Sequence, residues 1–164
     1  MDPKLSDIKT QVYAPCSLKI SDFKTEAESQ EYHACQFKLN GLNILSRSAK
    51  ITPKKVGQFV TFWKRNEKGI IEPFNASDQI DFYVINANSE EKLGQFVFPK
   101  SVLLKKGIIS TDKKEGKRGF RVYPAWDIPT NKQAERTQKW QLNYFYEMGS
   151  ELDLEKVKAL YKEE

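Results

Sequence analysis

Three strand-like runs within residues 52–100 constrain this chain more than any other feature. Gly57-Gln58-Phe59-Val60-Thr61-Phe62-Trp63 opens the stretch, Gln79-Ile80-Asp81-Phe82-Tyr83-Val84-Ile85-Asn86 fills its middle, and Gly94-Gln95-Phe96-Val97-Phe98-Pro99 closes it. All three are rich in aromatic and β-branched residues, which fit a pleated, half-buried surface. The middle of the protein is therefore read as a sheet. The Gly-Gln-Phe-Val shared by residues 57–60 and 94–97 extends no further in either direction, so it does not mark a duplication.

Around that sheet the signals alternate between helix and strand. Leu5, Ile8 and Val12 have helical spacing, with Ser6 or Asp7 able to cap and Pro15 to stop the segment. Residues 21–30 are charged and read as a polar helical turn or a loop. From Tyr32 to Leu39 polarity alternates, placing His33, Cys35, Phe37 and Leu39 on one side, and Asn40-Gly41 supplies a hairpin turn into a return strand at 42–51. Thr52-Pro53-Lys54-Lys55 is a loop, since proline cannot donate to a ladder. The run from Phe59 to Arg65 reads as one strand. Residues 101–109 suggest a short helix, and residues 119–123 a strand with Arg121 and Tyr123 on one side. Residues 130–148, free of Gly and Pro, predict a long helix with Lys132, Arg136, Lys139 and Asn143 on one face. A last helix follows a capping sequence at 150–153. The expectation is an α/β (mixed α+β) fold: one domain over residues 1–164, with a central mixed β-sheet flanked by helices.

A chain of 164 residues can bury a core without disulfides or metals. Cys16 and Cys35 lie in no zinc-ligand spacing, so no metal site is expected and both thiols are read as free and buried. His33 is the lone histidine, leaving little for histidine-dependent chemistry, and it is read as structural. The start carries no apolar signal region and no run reaches the length of a membrane span, so the reading is a soluble cytoplasmic protein without membrane partners. Phosphate-loop, nucleophile-elbow, dinucleotide and His-Glu-x-x-His motifs are all missing, which argues against an ordinary hydrolase or kinase.

What remains is positive charge interleaved with aromatic rings. There are 27 Lys and Arg against 22 Asp and Glu, a net charge of +5. Cations neutralise phosphates with counterion release, while aromatic faces stack on exposed bases. Lys54, Lys55, Arg65, Lys100, Arg118, Arg121 and Lys132 are the candidate phosphate contacts. Tyr123 and Trp126 are candidates for stacking, Gln58 and Gln138 for base-edge hydrogen bonds. Trp63, Lys64, Lys117, Arg136 and Lys139 belong to the same candidate surface. The expected partner is nucleic acid, RNA or single-stranded DNA over duplex. A tryptophan among β-branched neighbours is, however, more often a core residue than a platform.

Four segments together resemble the MepB family: Thr52-Pro53-Lys54-Lys55-x-Gly57-Gln58-Phe59-Val60-x-x-Trp63-Lys64-Arg65, Gln95-Phe96-Val97-Phe98-Pro99-Lys100, Gly119-Phe120-Arg121-Val122-Tyr123-Pro124-x-Trp126 and Thr137-Gln138-x-Trp140-Gln141. The resemblance spans about residues 17–148. It implies a bacterial cytoplasmic protein linked genetically to multidrug efflux, with no established enzymatic activity. It also implies a fold similar to PD-(D/E)XK restriction endonucleases and an association with nucleic-acid binding.

A nuclease of that class needs an Asp on one strand, an acid two positions before a Lys on the next, and a divalent metal held between the acids. Asp81 and Lys100 are the candidate catalytic pair. Phe98 stands where the second acid belongs, so the site reads as degenerate, with Glu72 able to migrate in. Asp81, in the middle of an apolar strand, is read either as an ion-paired carboxylate or as a remnant metal or catalytic position. No cofactor is expected unless the chain is a metal-dependent nuclease, which would take Mg²⁺. A third reading is a partner for acidic protein surfaces, docked on the basic face of the 130–148 helix.

Overall fold

The computed structural model describes residues 1–162. The chain enters through α1 (Pro3–Ile8), capped by the Asp2 carboxylate accepting from Lys4 N, and continues as a π-helical stretch, Lys9–Tyr13. Leu5, Ile8 and Val12 are buried, as their spacing predicts, and Tyr13 with them, but the cap is Asp2 and neither Ser6 nor Asp7. The charged segment that follows is a strand, β1 (Ile20–Thr25), not a helical turn. It pairs antiparallel with β2 (Cys35–Leu39). As the outermost strand it needs pairing on one side only, so a polar sequence stays extended there.

Asn40 and Gly41 both take positive φ, 50° and 84°, and return the chain as β3 (Leu42–Ser48). His33 departs from expectation. It lies outside β2, exposed, in a left-handed conformation at φ 49°, while Cys35, Phe37 and Leu39 do face the core.

After β4 (Lys50–Ile51) and β5 (Gln58–Thr61) the expected single strand breaks at Phe62. β6 (Trp63–Arg65) turns away to pair with β7 (Ile71–Pro73). The Phe62 ring is fully buried, with centroids 4.8 Å from Phe74, 5.3 Å from Tyr83 and 5.1 Å from Phe120. Burying that ring, not ladder continuity, sets the chain's path here. β8 (Phe82–Asn88) and β9 (Leu93–Pro99) follow, then α2 (Lys100–Lys105), β10 (Gly119–Val122) and α3 (Lys132–Gln141). The predicted long helix stops at Gln141. A 3₁₀ turn leads into β11 (Phe145–Glu147), which pairs with β9, and α4 (Leu154–Leu160) ends the fold under an Asp153 cap. Gly94 makes room for this strand: a Cβ there would lie 2.4 Å from Phe145 Cζ.

The six-stranded sheet runs β1-β2-β3-β8-β9-β11, parallel only between β3 and β8, so it is mixed as expected. A second sheet, β10-β5-β4, is antiparallel. Strand alternation divides the core in two. Ile44, Phe82, Val84 and Val97 meet Leu5, Ile8 and Val157 from the terminal helices on one face. Leu45, Tyr83, Ile85, Phe96 and Phe98 meet Val60, Leu103, Phe120 and Val122 on the other. The architecture is a mixed α/β domain whose second sheet lies on one face of the first.

Candidate nucleic-acid interface

The site is built on β10. In its pairing with β5, Phe62 N donates to Arg118 O at 2.9 Å, so by antiparallel alternation Phe120 and Val122 also point their backbone groups at β5. The odd-numbered residues point theirs outward, to the free edge. One end of that edge is closed by Lys117 N donating to Ile108 O at 2.9 Å. The other is closed by a side chain: Gln141, fully buried at the end of α3, accepts from Tyr123 N and donates to Arg121 O, both at 2.9 Å.

Between the two closures lies a pocket of about 400 Å³. Its lining holds four cations, Lys55, Lys106, Lys117 and Arg121, and no carboxylate among the described residues. Phe59 and Trp140 supply aromatic walls, and the Lys106 ammonium sits 5.2 Å from the Trp140 ring centroid. Each cation comes from a different segment: the 52–57 loop, the turn after α2, the basic loop before β10, and β10 itself.

Arg121 builds this site more than it advertises charge. Its guanidinium donates to Thr52 Oγ1 at 2.6 Å and to the carbonyls of Lys55, Val56 and Gly57 at 3.1–3.3 Å, pinning the loop that carries Lys54 and Lys55. Gly57 lies against Tyr123, with φ +87° and no room for a Cβ. Asp127 completes the anchor. Burial raises its carboxyl above the ordinary aspartate value, opposed by the Gly57 backbone hydrogen bond and by Arg121.

The structure sorts the sequence-derived residues. Lys54, Lys55 and Lys132 are exposed, and Lys132, Arg136 and Lys139 line the outer side of α3. Arg65 and Arg118 are also exposed but carry acidic neighbours, Glu28 and Glu115. Gln58 is buried and donates to Asn88 O, whereas Gln138 donates to the carbonyls of Pro124 and Asp127. Their amide nitrogens are thus engaged inside the fold. Tyr123 is buried against Gly57, and Trp126 packs edge-on to Phe145 at 5.9 Å. Lys106, Trp140 and Gln141 were not singled out as site residues. Trp140 and Gln141 stand in the 137–141 motif, but nothing local distinguishes them from helix-packing residues.

Asp81 and Lys100 meet at a separate, larger pocket of about 660 Å³, together with Asp78 and Asn43. Asp81 does not sit in the middle of its strand. It precedes β8, exposed, and accepts from Asn43 N at 2.7 Å. Among the described residues it forms no ion pair; the Lys100 amine donates to the Asp78 backbone carbonyl, and Lys64 takes the Asp78 carboxylate. Glu72 lies on β7, 3.7 Å from Lys64, and does not line the pocket. Among the described residues, no group of three or more His, Cys, Asp or Glu is placed to hold a metal ion, and no helix is long and apolar enough to cross a membrane.

The fold is that of a mixed α/β protein, a mixed sheet overlaid by a smaller one, with a cationic, aromatic-walled pocket at the smaller sheet's edge. A family model described as MepB-like matches residues 26–147. A solved structure described as the crystal structure of MepB is similar at a TM-score of 0.79 and 36% identity, over 92% of this chain and 100% of that one. No curated protein matches. The chain belongs to the MepB-like family.

Proposed function

We propose that this protein binds nucleic acid, single strands in preference to duplex, through the basic surface centred on the outer edge of β10. The observation that carries the reading is the pocket lined by Lys55, Lys106, Lys117 and Arg121 with no acid among the described residues, beside two aromatic walls. Cations gathered without carboxylates favour a polyanion. Aromatic walls favour one whose bases are unpaired. The exposed cations of α3 and of the 52–57 loop extend the positive surface beyond the pocket. A cytoplasmic, bacterial setting and a connection to multidrug efflux, implied by the family resemblance, are parts of the same proposal.

The nuclease alternative has less support. Mg²⁺ calls for near-octahedral oxygen donors, and among the described residues the carboxylates of the Lys100 pocket are those of Asp78 and Asp81. Lys64 and the Asn75 amide occupy the first, and the Asn43 amide one oxygen of the second. The donor set does not fit the ion.

The test is anisotropy of a labelled single-stranded RNA, its DNA equivalent and a duplex at several salt concentrations without divalent metal. Saturable binding that weakens steeply with salt is expected, with the single strands tighter. Lys55→Ala, Lys106→Ala and Lys117→Ala together should lower affinity at least tenfold, by about 1.4 kcal/mol or more, and flatten the salt slope by about 3. No binding at low salt sinks the reading. Capture of a protein that survives nuclease treatment would then favour the acidic-partner alternative.

A further inference from the structure

The closure of the β10 edge by Gln141 shows what else that edge can hold. The Gln141 carboxamide is an acceptor oxygen and a donor nitrogen on one carbon, and it satisfies Tyr123 N and Arg121 O together. In effect it stands in for one residue of a neighbouring strand. By the same alternation, the next outward-facing pair along β10 is Arg121 N and Gly119 O. It has the same sense, a donor beside an acceptor, and neither Gln141 nor the Lys117–Ile108 hydrogen bond reaches it. Both residues line the 400 Å³ pocket.

We infer that this pair reads the hydrogen-bonding edge of a single unpaired nucleobase, so that the pocket seats one nucleotide. The inference rests on the nucleic-acid reading above and names what that site recognises. The Watson–Crick edge of every base presents an acceptor and a donor on adjacent ring positions or on one carbon, as the Gln141 amide does. Adenine offers N1 and the N6 amine, cytosine N3 and the N4 amine. Guanine offers O6 and N1–H, and uracil O4 and N3–H. A base paired in a duplex has that edge occupied, which accounts for the preference for single strands. Because all four bases carry the unit, the site holds a nucleotide without demanding a sequence. Trp140 and Phe59 wall the space a base plane would enter, and Lys55, Lys106 and Lys117 surround it with positive charge for the phosphate. The volume falls within the usual range for small-molecule sites.

The edge is backbone, so it is observed directly rather than mutated. The full chain, labelled with ¹⁵N, is titrated with adenosine monophosphate, adenosine, ribose 5-phosphate and inorganic phosphate while its amide signals are followed. Adenosine monophosphate should move the Arg121 amide saturably and slow its hydrogen exchange. Adenosine should move the same amide about tenfold more weakly, since it lacks the charge-assisted contacts. Ribose 5-phosphate and phosphate should leave it in place. Lys106→Ala with Lys117→Ala should weaken the monophosphate about tenfold and adenosine by clearly less, so that the gap between the two ligands narrows. If single-stranded RNA binds but no nucleotide moves the Arg121 amide, this inference falls and the wider function stands. Failure of RNA and nucleotide alike takes both down. An acidic peptide that shifts the amide where nucleotides do not would make the edge a strand-addition site and overturn the inference.

Discussion

Arg121 is bonded into its own fold as well as carrying charge. Its alternation with Phe120 and Val122 places it on the outer side of β10, yet its guanidinium is spent on Thr52 Oγ1 and three carbonyls of the adjoining loop. It positions Lys55 instead of projecting as a lone charge. Gly57 is the counterpart in that loop: at φ +87°, a Cβ would lie 2.7 Å from Tyr123 Cε1. Gly57→Ala therefore meets both backbone strain and the ring of Tyr123, whose backbone Gln141 holds in place. A loss of about 2 kcal/mol in urea unfolding is expected, and a variant as stable as the parent would mean that the loop is not anchored there. Cys35 offers a prediction with a definite sign. Burial pushes its thiol up from 9.0 to about 11, against the Ser46 hydrogen bond and Arg47 that lower it. The folded state thus holds this proton more tightly than the unfolded chain. Its contribution to stability is complete below pH 9 and is lost as pH rises toward 11. Unfolding midpoints measured from pH 8 to 11 should fall across that window, with the thiol inert to alkylation at pH 8 until the protein unfolds.

At the scale of elements, the decisive joint is between α3 and β10. Gln141 is fully buried and serves both Tyr123 N and Arg121 O. Gln141→Leu would strand the buried Tyr123 N–H and the half-buried Arg121 carbonyl, and Gln141→Glu would set a carboxylate against that carbonyl. Each should cost about 2–4 kcal/mol, read as a lower unfolding midpoint with an unchanged denaturant slope; stability within 0.5 kcal/mol of the parent would show that water replaces the amide. This joint was not legible in the sequence, because the predicted helix ran straight through it. Residues 142–148 contain no Gly or Pro, and the helical period continues past Gln141. What ends α3 is tertiary: Phe145 packs tilted against Phe96, centroids 4.6 Å apart, in the space left by Gly94. The same holds for β1, where exposed charges hide a strand whose partner is 10 or more residues away, Thr25 opposite Cys35 and Ile20 opposite Leu39. By contrast the Asn40-Gly41 hairpin and the β8 and β9 strands were legible, because turn chemistry and apolar runs are local signals. The basic loop and β10 were legible as charge. The pocket was not, since Lys106, Lys117 and Trp140 converge only when α2, β10 and α3 meet.

Across the whole molecule, one buried polar chain ties the two ends of the sequence through the large sheet. Gln95 Oε1, on β9, accepts from Tyr146 at 2.8 Å and Tyr161 at 2.7 Å, with Tyr13 at 3.2 Å, and the Tyr13 and Tyr161 hydroxyls are 2.6 Å apart. From the same amide, Nε2 donates to Asn86 Oδ1, whose side chain donates to Ser48 Oγ, which in turn donates to Asp2. Tyr13 comes from the stretch after α1 and Tyr161 from the end of α4, so a single side chain holds both terminal segments on one face. Such a network is worth having only when complete, since each buried partner left over carries a desolvation penalty. Gln95→Leu keeps the volume and removes the hub, leaving the Tyr146 hydroxyl and Asn86 Oδ1 without these partners. Tyr146→Phe removes one donor and leaves the hub its other partners. The first should cost about 3–5 kcal/mol and the second about 1 kcal/mol. Gln95→Leu should also speed amide exchange in α1 and α4 together, while the β5–β10 sheet on the opposite face keeps its protection. Equal costs for the two variants, or faster exchange at one end alone, would show that the termini are held separately by packing and that the hydroxyls only fill space.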